Sequence, residues 1–277
     1  MSRLHRVLAW SLPIVLTAGS LVIAADPTKL PTLEPISTNS EIKPVVATVV
    51  VVDSTVKGTE AFPKALTAAT TAMSKLRDYS GYMVREERIN GKPMAAQTAE
   101  IRVRCEPFCI YTKTVAPKEL LGRELAYMSG HKEEKIRVKP AGRAGADGFF
   151  SYDITDAKAN VDSKHTLLNT GIASVLKRMD GAMDAERKAR TKPEVLVADY
   201  KFDGKACTRY DVICEMPHKM RLAAKMVVYF ENESKLPIRF EMYDAPKGGE
   251  TTGELLECVS FMSLKLNGGL GDGVFVK

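Results

Sequence analysis

The sequence lacks the short motifs that mark many metal and nucleotide sites. Its five cysteines are not arranged as paired C-x-x-C steps, so the common zinc pattern is missing. The glycine-rich stretch 141–148 is not followed by a helix that carries a Lys-Ser/Thr pair, which argues against a phosphate-binding loop. We therefore expect no metal site and no cofactor.

Histidine is also scarce, with four residues in the whole chain. The three that follow residue 24 are His131, His165 and His218, and none forms a recognisable catalytic arrangement with Ser, Cys or a carboxylate. The adjacent carboxylates Glu86 and Glu87 would face opposite sides of a strand, so they cannot share one acid/base site. We predict surface histidines and no catalytic residues, and an envelope hydrolase is the least supported function class.

A large excess of charge is missing as well. The chain has 40 basic and 34 acidic residues, a formal net charge of +6, and loss of the two arginines in residues 1–24 would lower it to +4. This excess is too small and too scattered to favour nucleic acid as a partner. The excess fits weak contact with an anionic membrane surface, and it fits solvated lysines and arginines on strand faces equally well, so both explanations stay open.

The first 24 residues have the parts of a secretory signal peptide. Arg3 and Arg6 precede an apolar stretch over residues 7–23, and the small pair Ala24-Ala25 follows. No other stretch approaches the roughly 18 apolar residues that span a bilayer. We predict an exported protein of the periplasm or cell envelope. Cleavage after Ala24, cleavage after Ala25 and retention as an anchor all stay open.

Residues 25–58 are rich in proline and threonine, and we expect a disordered linker there. Within it, residues 45–52 are uncharged and strongly β-prone, which fits either an added edge strand or an apolar run kept apart by prolines. The remaining residues, 59–277, are predicted to form one domain.

The cysteines all lie in the part of the chain that we expect to be exported, where an oxidising compartment permits disulfides. Their odd number leaves at least one thiol free or paired between chains, and the connectivity stays open. Cys207 and Cys214 are seven residues apart on one predicted strand, so they should face opposite sides. Pairing of Cys105 with Cys109 would need a sharp bend at Glu106-Pro107. The candidates for disulfides are Cys105, Cys109, Cys207, Cys214 and Cys258.

Periodicity predicts two amphipathic helices, over residues 62–77 and 170–189. We expect Asp78-Tyr79-Ser80-Gly81 to end the first helix, and Pro107 to mark a bulge or a bend on an edge strand. Alternating apolar runs predict strands over most of the rest, with the clearest hairpin at residues 227–244, where Leu236-Pro237 opens the return strand. The order is helix, strands, helix, strands. This order favours an α+β fold with antiparallel strands over a parallel α/β sheet.

Several stretches carry a resemblance to a known group. IRVRCEPFCIYTKT, ELAYMSGHKEEKIRVKPAG, YFENESKLPIRFEMYD and the tail GELLECVSFMSLKLNGGLGDGVF resemble successive strands of the periplasmic lipoprotein carrier and receptor superfamily, whose fold is LolA/LolB-like. More narrowly, about residues 61–277 resemble a family of exported bacterial proteins known as a domain of unknown function. The stretch 141–148 and the five cysteines depart from the carrier pattern.

The resemblance implies an unclosed antiparallel half-barrel wrapped around the two helices, with an apolar concave face able to hold acyl chains. Ordinary core packing explains the apolar residues of that face as well as a binding groove does, and both readings stay open. The candidate binding residues are Tyr82, Val84, Ile101, Val103, Tyr111, Met179, Val228, Phe230, Phe240 and Met242.

Two functions are therefore carried forward. One is an exported binding protein that holds a lipid, an acyl chain or another hydrophobic ligand in the concave sheet. The alternative is a structural or assembly protein of the cell envelope that contacts other envelope proteins and holds no small ligand.

Overall fold

The computed structural model of the chain describes residues 60–216, 221–248 and 252–277. The expectations for the signal peptide, the linker, the β-prone run 45–52 and His218 lie outside the described residues. Everything that follows concerns the predicted domain.

Two helices form where the apolar periodicity predicts them. Helix α1 is Ala61–Ser74, and it buries Phe62 and Leu66 on one side. Helix α2 is Ile172–Ala189, and it ends at Arg190, whose left-handed backbone closes the last turn. Within the described residues, neither helix combines the length and the apolar composition that crossing a bilayer requires.

Twelve strands make one antiparallel sheet. The strands are β1 (Asp78–Ile89), β2 (Lys92–Pro93), β3 (Gln97–Arg104), β4 (Cys109–Ala116), β5 (Glu124–Met128), β6 (Ile136–Lys139), β7 (Phe150–Tyr152), β8 (Glu194–Phe202), β9 (Lys205–Ile213), β10 (Lys225–Glu231), β11 (Pro237–Tyr243) and β12 (Leu255–Leu266).

The order of the strands in the sheet is β7-β6-β5-β4-β3-β1-β12-β11-β10-β9-β8, with β2 paired to β1 beside this path. The terminal strands β7 and β8 do not pair with each other within the described residues, so the sheet does not close. The predicted α+β half-barrel with two helices is confirmed.

The predicted hairpin at residues 227–244 is present as β10 and β11, with Val228 opposite Phe240. Two local predictions were wrong. Asp78 to Gly81 was expected to end the first helix, ahead of a strand that begins at Tyr82, but it is already the start of β1 and pairs with both β3 and β12. The proline at 107 was expected to mark a bulge or a bend on an edge. It lies instead in the reversal between β3 and β4, two interior strands of the sheet.

The sheet has an inner face, which we define as the face packed against α1 and α2, and an outer face. The main core cluster joins both helices to inner-face residues of nearly every strand. Two smaller clusters cover the outer face. One lies under the C-terminal segment around Phe275, and the other surrounds Tyr229. Both faces of the sheet are therefore partly covered by apolar packing.

All five cysteines are free thiols in the structure, so none of the candidate disulfides is formed. Cys207 packs with the outer cluster around Tyr229 and Cys214 with the inner core, which confirms that they face opposite sides. Cys105 and Cys109 are also divided between the inner and an outer cluster. The chain does reverse at Glu106-Pro107, but because the two thiols lie on opposite faces the reversal does not bring them together.

Candidate functional site

Most of the residues expected on the concave face do lie on the inner face, but they are packed rather than open. Phe62 of α1 contacts Tyr210 and Phe230 with ring centroids 5.8 Å and 6.2 Å apart. On the other helix, the Arg178 guanidinium lies over the Phe240 ring at 5.2 Å. The helices thus fill this part of the sheet. The residues in the inner core are Ile101, Val103, Met179, Val228, Phe230, Phe240 and Met242, each at most 4% exposed.

Three of the expected residues lie on the outer face instead. Tyr111 belongs to the cluster under the C-terminal segment, while its neighbour Ile110 is in the inner core. Tyr82 and Val84 alternate with Met83, which is the inner-core residue of that stretch. The physical reason is the two-residue repeat of a strand, in which a register error of one residue exchanges the faces. A ligand contact from any of these ten positions stays a prediction.

A large cavity lies away from these residues, between α1, α2 and β8. We call it the helix groove, and its volume is about 750 Å³. Such a volume is within the range of small-molecule sites, roughly 300–1,000 Å³. Its apolar lining comes from both helices and the sheet edge. These apolar residues are Pro63, Leu66, Met183, Pro193 and Val195.

Threonines of α1 form another part of the groove wall. The hydroxyls of Thr67, Thr70 and Thr71 each bond to the carbonyl four residues earlier, at 2.9–3.0 Å. Because the helix already satisfies these hydroxyls, the threonines make few polar demands on a bound molecule. The rim carries exposed charges of both signs. They are Glu60, Asp180, Arg187, Arg190 and Lys192.

One buried carboxyl also lines the groove. Glu186 is 2% exposed and lies on the buried face of α2. Its Oε2 accepts a hydrogen bond from the Thr191 hydroxyl, while its Oε1 accepts none from the described residues. Burial, followed by the nearby charge of Glu186, raises the pKa of the Cys214 thiol to about 12. That thiol is therefore protonated at neutral pH and is not an activated nucleophile.

A second polar feature, the ionic cluster, lies on the inner face away from the helix groove. Glu87 of β1 and Glu257 of β12 are directly opposite each other in the sheet. Two carboxylates in such a pair repel, so the fold must supply positive charge. Arg178 of α2 contacts Glu257 Oε1, and the Lys164 ammonium is 2.8 Å from Oε2. His165 Nε2 also lies 2.9 Å from Oε2.

Burial alone would raise the pKa of Glu257, but the hydrogen bond from His165 and the charges of Arg178, His165 and Lys164 outweigh burial. They hold the pKa of this carboxyl well below its usual range. One ligand atom from each of Glu87, His165 and Glu257 lies within 4.8 Å of the others, a spacing that could suit a metal ion. However, Arg178 and Lys164 already neutralise the pair, so a divalent ion would add positive charge beside two cations. We interpret the cluster as an ion-pair network that joins α2 and the loop before it to the sheet.

A smaller polar network continues along the same loop. Arg123 donates to Asp162 Oδ1 at 2.8 Å, and Gln97 and Arg85 both donate to the Asp162 carbonyl. These groups border a cavity of about 40 Å³, a size that suits one or a few waters. Its dimensions favour structural hydration over a ligand.

Neither Glu186 in the helix groove nor the ionic cluster was predicted from the sequence. His165, predicted to be a surface residue, is part of the ionic cluster. The prediction that Glu86 and Glu87 diverge agrees with the burial of Glu87, whose Oε1 accepts a hydrogen bond from the Ser163 hydroxyl, and with the partial exposure of Glu86. Glu186 could have been found, because it continues the apolar stripe of α2 three residues after Met183. No comparable signal links Glu87, His165 and Glu257, since the fold alone brings them together.

Comparison with solved structures gives distant neighbours at low identity. An uncharacterized conserved protein from Thermus thermophilus is 9% identical with a TM-score of 0.43, over 77% of this chain and 91% of that chain. The Mycobacterium tuberculosis lipoprotein LppX is 12% identical with a TM-score of 0.44, over 76% of this chain and 98% of that chain. A LolA superfamily protein from Nitrosomonas europaea is 10% identical with a TM-score of 0.29, over 78% and 97%.

Comparison with curated proteins gives no significant match. A family model gives the decisive result, because it matches residues 76–277, which is most of the chain. The match includes all twelve strands and helix α2, and it begins after helix α1. The model is described as a protein of unknown function, DUF1571. The chain belongs to the DUF1571 family.

Proposed function

We propose that this protein is an exported binding protein of the cell envelope that holds a lipid, an acyl chain or a similar hydrophobic ligand in the helix groove. The observation that carries the proposal is the 750 Å³ cavity between α1, α2 and β8. The groove replaces the inner sheet face as the expected binding surface, because the inner face is occupied by side chains of the two helices.

The lining suits a molecule with an apolar body and a polar end. Leu66, Met183 and Val195 offer apolar contact, and Met183 is a flexible side chain that adapts to different shapes. The groove lining runs from Asp180 in α2 to Arg190 just after the helix, ten residue steps apart. A helix rises about 1.5 Å per residue, so the groove is roughly 15 Å long. The charged rim would then meet the polar end of the molecule and the solvent.

A fluorescent probe with a neutral head tests the proposal. Titration with nitrobenzoxadiazole-labelled dodecanol should give saturable binding to the wild-type protein. Thr70→Trp places a large side chain in the groove and should weaken binding by at least about tenfold, which corresponds to about 1.4 kcal/mol. Ala68→Trp is the matched control, because Ala68 is exposed on the same helix and does not line the groove.

The alternative, a structural or assembly protein without a small ligand, is favoured by a different observation. The inner face is filled, and Leu121 and Val161 are 54% and 66% exposed. Mass spectrometry of material extracted from protein purified out of its native envelope separates the two functions. A retained lipid supports the binding protein, whereas lipid-free protein that also fails to bind the fluorescent probe supports the alternative.

A further inference from the structure

Glu186 gives the helix groove a chemical preference that its apolar lining does not explain. A carboxyl that is 2% exposed has lost nearly all of its contact with bulk water. Thr191 satisfies Oε2, but Oε1 lacks a hydrogen-bond donor among the described residues. The neighbouring Cys214 thiol is a weak donor and does not replace a strong one. Burying a carboxyl oxygen without a strong donor costs free energy. A ligand that supplies such a donor removes this cost and should therefore bind more tightly.

The cations of the rim do not provide this donor. Arg187, Arg190 and Lys192 are exposed to solvent, and the described contacts of Arg187 lead to Asp184 at 3.3 Å. Exposed charges are screened by water and salt, so their pull on an anionic ligand is weak. A buried carboxylate is screened much less. The buried group rather than the rim should therefore decide which head group the groove prefers.

We propose that the helix groove binds amphiphiles with a hydrogen-bond-donating cationic head, a primary ammonium, and that Glu186 is the residue that receives this head. The ammonium donates to the carboxyl of Glu186, and the apolar tail lies along Leu66, Met183 and Val195. A charge-assisted hydrogen bond of this kind is about twice as strong as one between neutral groups. The inference rests on the proposed function, since it assigns a ligand class to the same groove.

Competition with three amphiphiles that share one tail tests the inference in the wild-type protein. Dodecylammonium, dodecanol and dodecanoate compete against the labelled dodecanol at neutral pH, below their aggregation concentrations. Dodecylammonium should displace the probe at concentrations at least about tenfold lower than dodecanol does. Equal potency of the three, or strongest binding of dodecanoate, would overturn the assignment of Glu186.

Two variants locate the effect. Glu186→Gln should reduce the preference for dodecylammonium over dodecanol from at least about tenfold to less than about twofold. Asp180→Asn removes an exposed carboxylate from the rim and should keep the preference. If both variants lose it equally, general charge attraction explains the preference and the assignment fails. Thermal unfolding shows whether Glu186→Gln is folded. If it is not, the competition of the three amphiphiles with the wild-type protein still tests the inference, because it uses no variant. Absence of any probe binding would instead reject the proposed function itself.

Discussion

Replacement of Glu257 by glutamine tests how the ionic cluster holds α2 on the sheet. The side chain is almost fully buried, and three basic side chains contact it: Lys164, His165 and Arg178. Glutamine keeps the size of the side chain and removes its charge. Arg178 and the Lys164 ammonium would then lose the carboxylate that they contact.

The magnitude follows from the burial of the partners. Loss of one member of a buried ion pair costs about 3–5 kcal/mol of unfolding free energy. The side chains of Arg178 and Lys164 keep 17% and 30% of their exposure, so water can compensate part of the loss. We therefore expect Glu257→Gln to lower the free energy of unfolding by about 3 kcal/mol, the lower end of that range.

Urea denaturation followed by circular dichroism measures this change. Glu254→Gln is the matched control, because Glu254 lies on the approach to the same strand, is 48% exposed and pairs with Arg88 at 3.3 Å. An exposed pair of this kind contributes about 0–1 kcal/mol. A loss below about 1 kcal/mol for Glu257→Gln, no larger than the control, would refute the assignment of the cluster as a stabilising network.

The direction of the pKa shift of Glu257 determines how its contribution to stability depends on pH. The pKa of Glu257 in the folded protein lies below its value in the unfolded chain, which is about 4.3. Its contribution is therefore fully present above about pH 4.3 and decreases as the pH falls from there towards the folded-state pKa. The stability difference between the wild-type protein and Glu257→Gln should shrink on acidification. A difference that grows at low pH would contradict this reasoning.

Three further predictions concern other parts of the fold. Tyr79→Phe removes the hydroxyl that accepts the Ile172 amide at 3.0 Å and caps α2, so the unfolding free energy should fall by about 1 kcal/mol in urea denaturation. Gly171→Ala places a Cβ 2.4 Å from the Tyr79 hydroxyl at a φ of +100°, so it should lower the unfolding free energy by about 1–3 kcal/mol. Gly181→Ala adds a Cβ in open space within α2 and should raise the unfolding free energy by about 0.5–1 kcal/mol. Equal melting temperatures for the two variants would contradict this geometry. Burial is the main cause that raises three thiol pKa values, so alkylation by iodoacetamide at neutral pH should be slow in the folded protein and fast in urea, as peptide mass spectrometry would show. These thiols are Cys105 at about 11, and Cys214 and Cys258 at about 12.

Local sequence patterns predicted the helices and most strands because those elements depend on the spacing of apolar side chains. The β10–β11 hairpin is an example, since β-branched and aromatic residues flank a polar turn and Leu236-Pro237. The prediction for the start of β1 was wrong because Asp78-Tyr79-Ser80-Gly81 has the composition of a turn. Its strand geometry depends on distant contacts, such as the Gly269 amide that donates to Asp78.

The candidate site was harder to predict than the fold. Alternation indicated which strand residues are buried, but it could not show that the helices fill the inner face. The ionic cluster depends on the register that places Glu87 opposite Glu257, two residues far apart in the sequence. The helix groove depends on the separation of α1 and α2, which no periodicity records.

The methyl group of Met183 provides the most direct test of the central claim, which is that the helix groove holds a hydrophobic ligand. Proton–carbon spectra of protein labelled at the methionine methyls can be recorded during titration with dodecanol, whose neutral head does not depend on Glu186. We predict a saturable shift of the Met183 signal, assigned by Met183→Leu, with no shift of Met262 on the other face of the sheet. An unchanged Met183 signal at saturating dodecanol, or a shift confined to Met262, would contradict the claim.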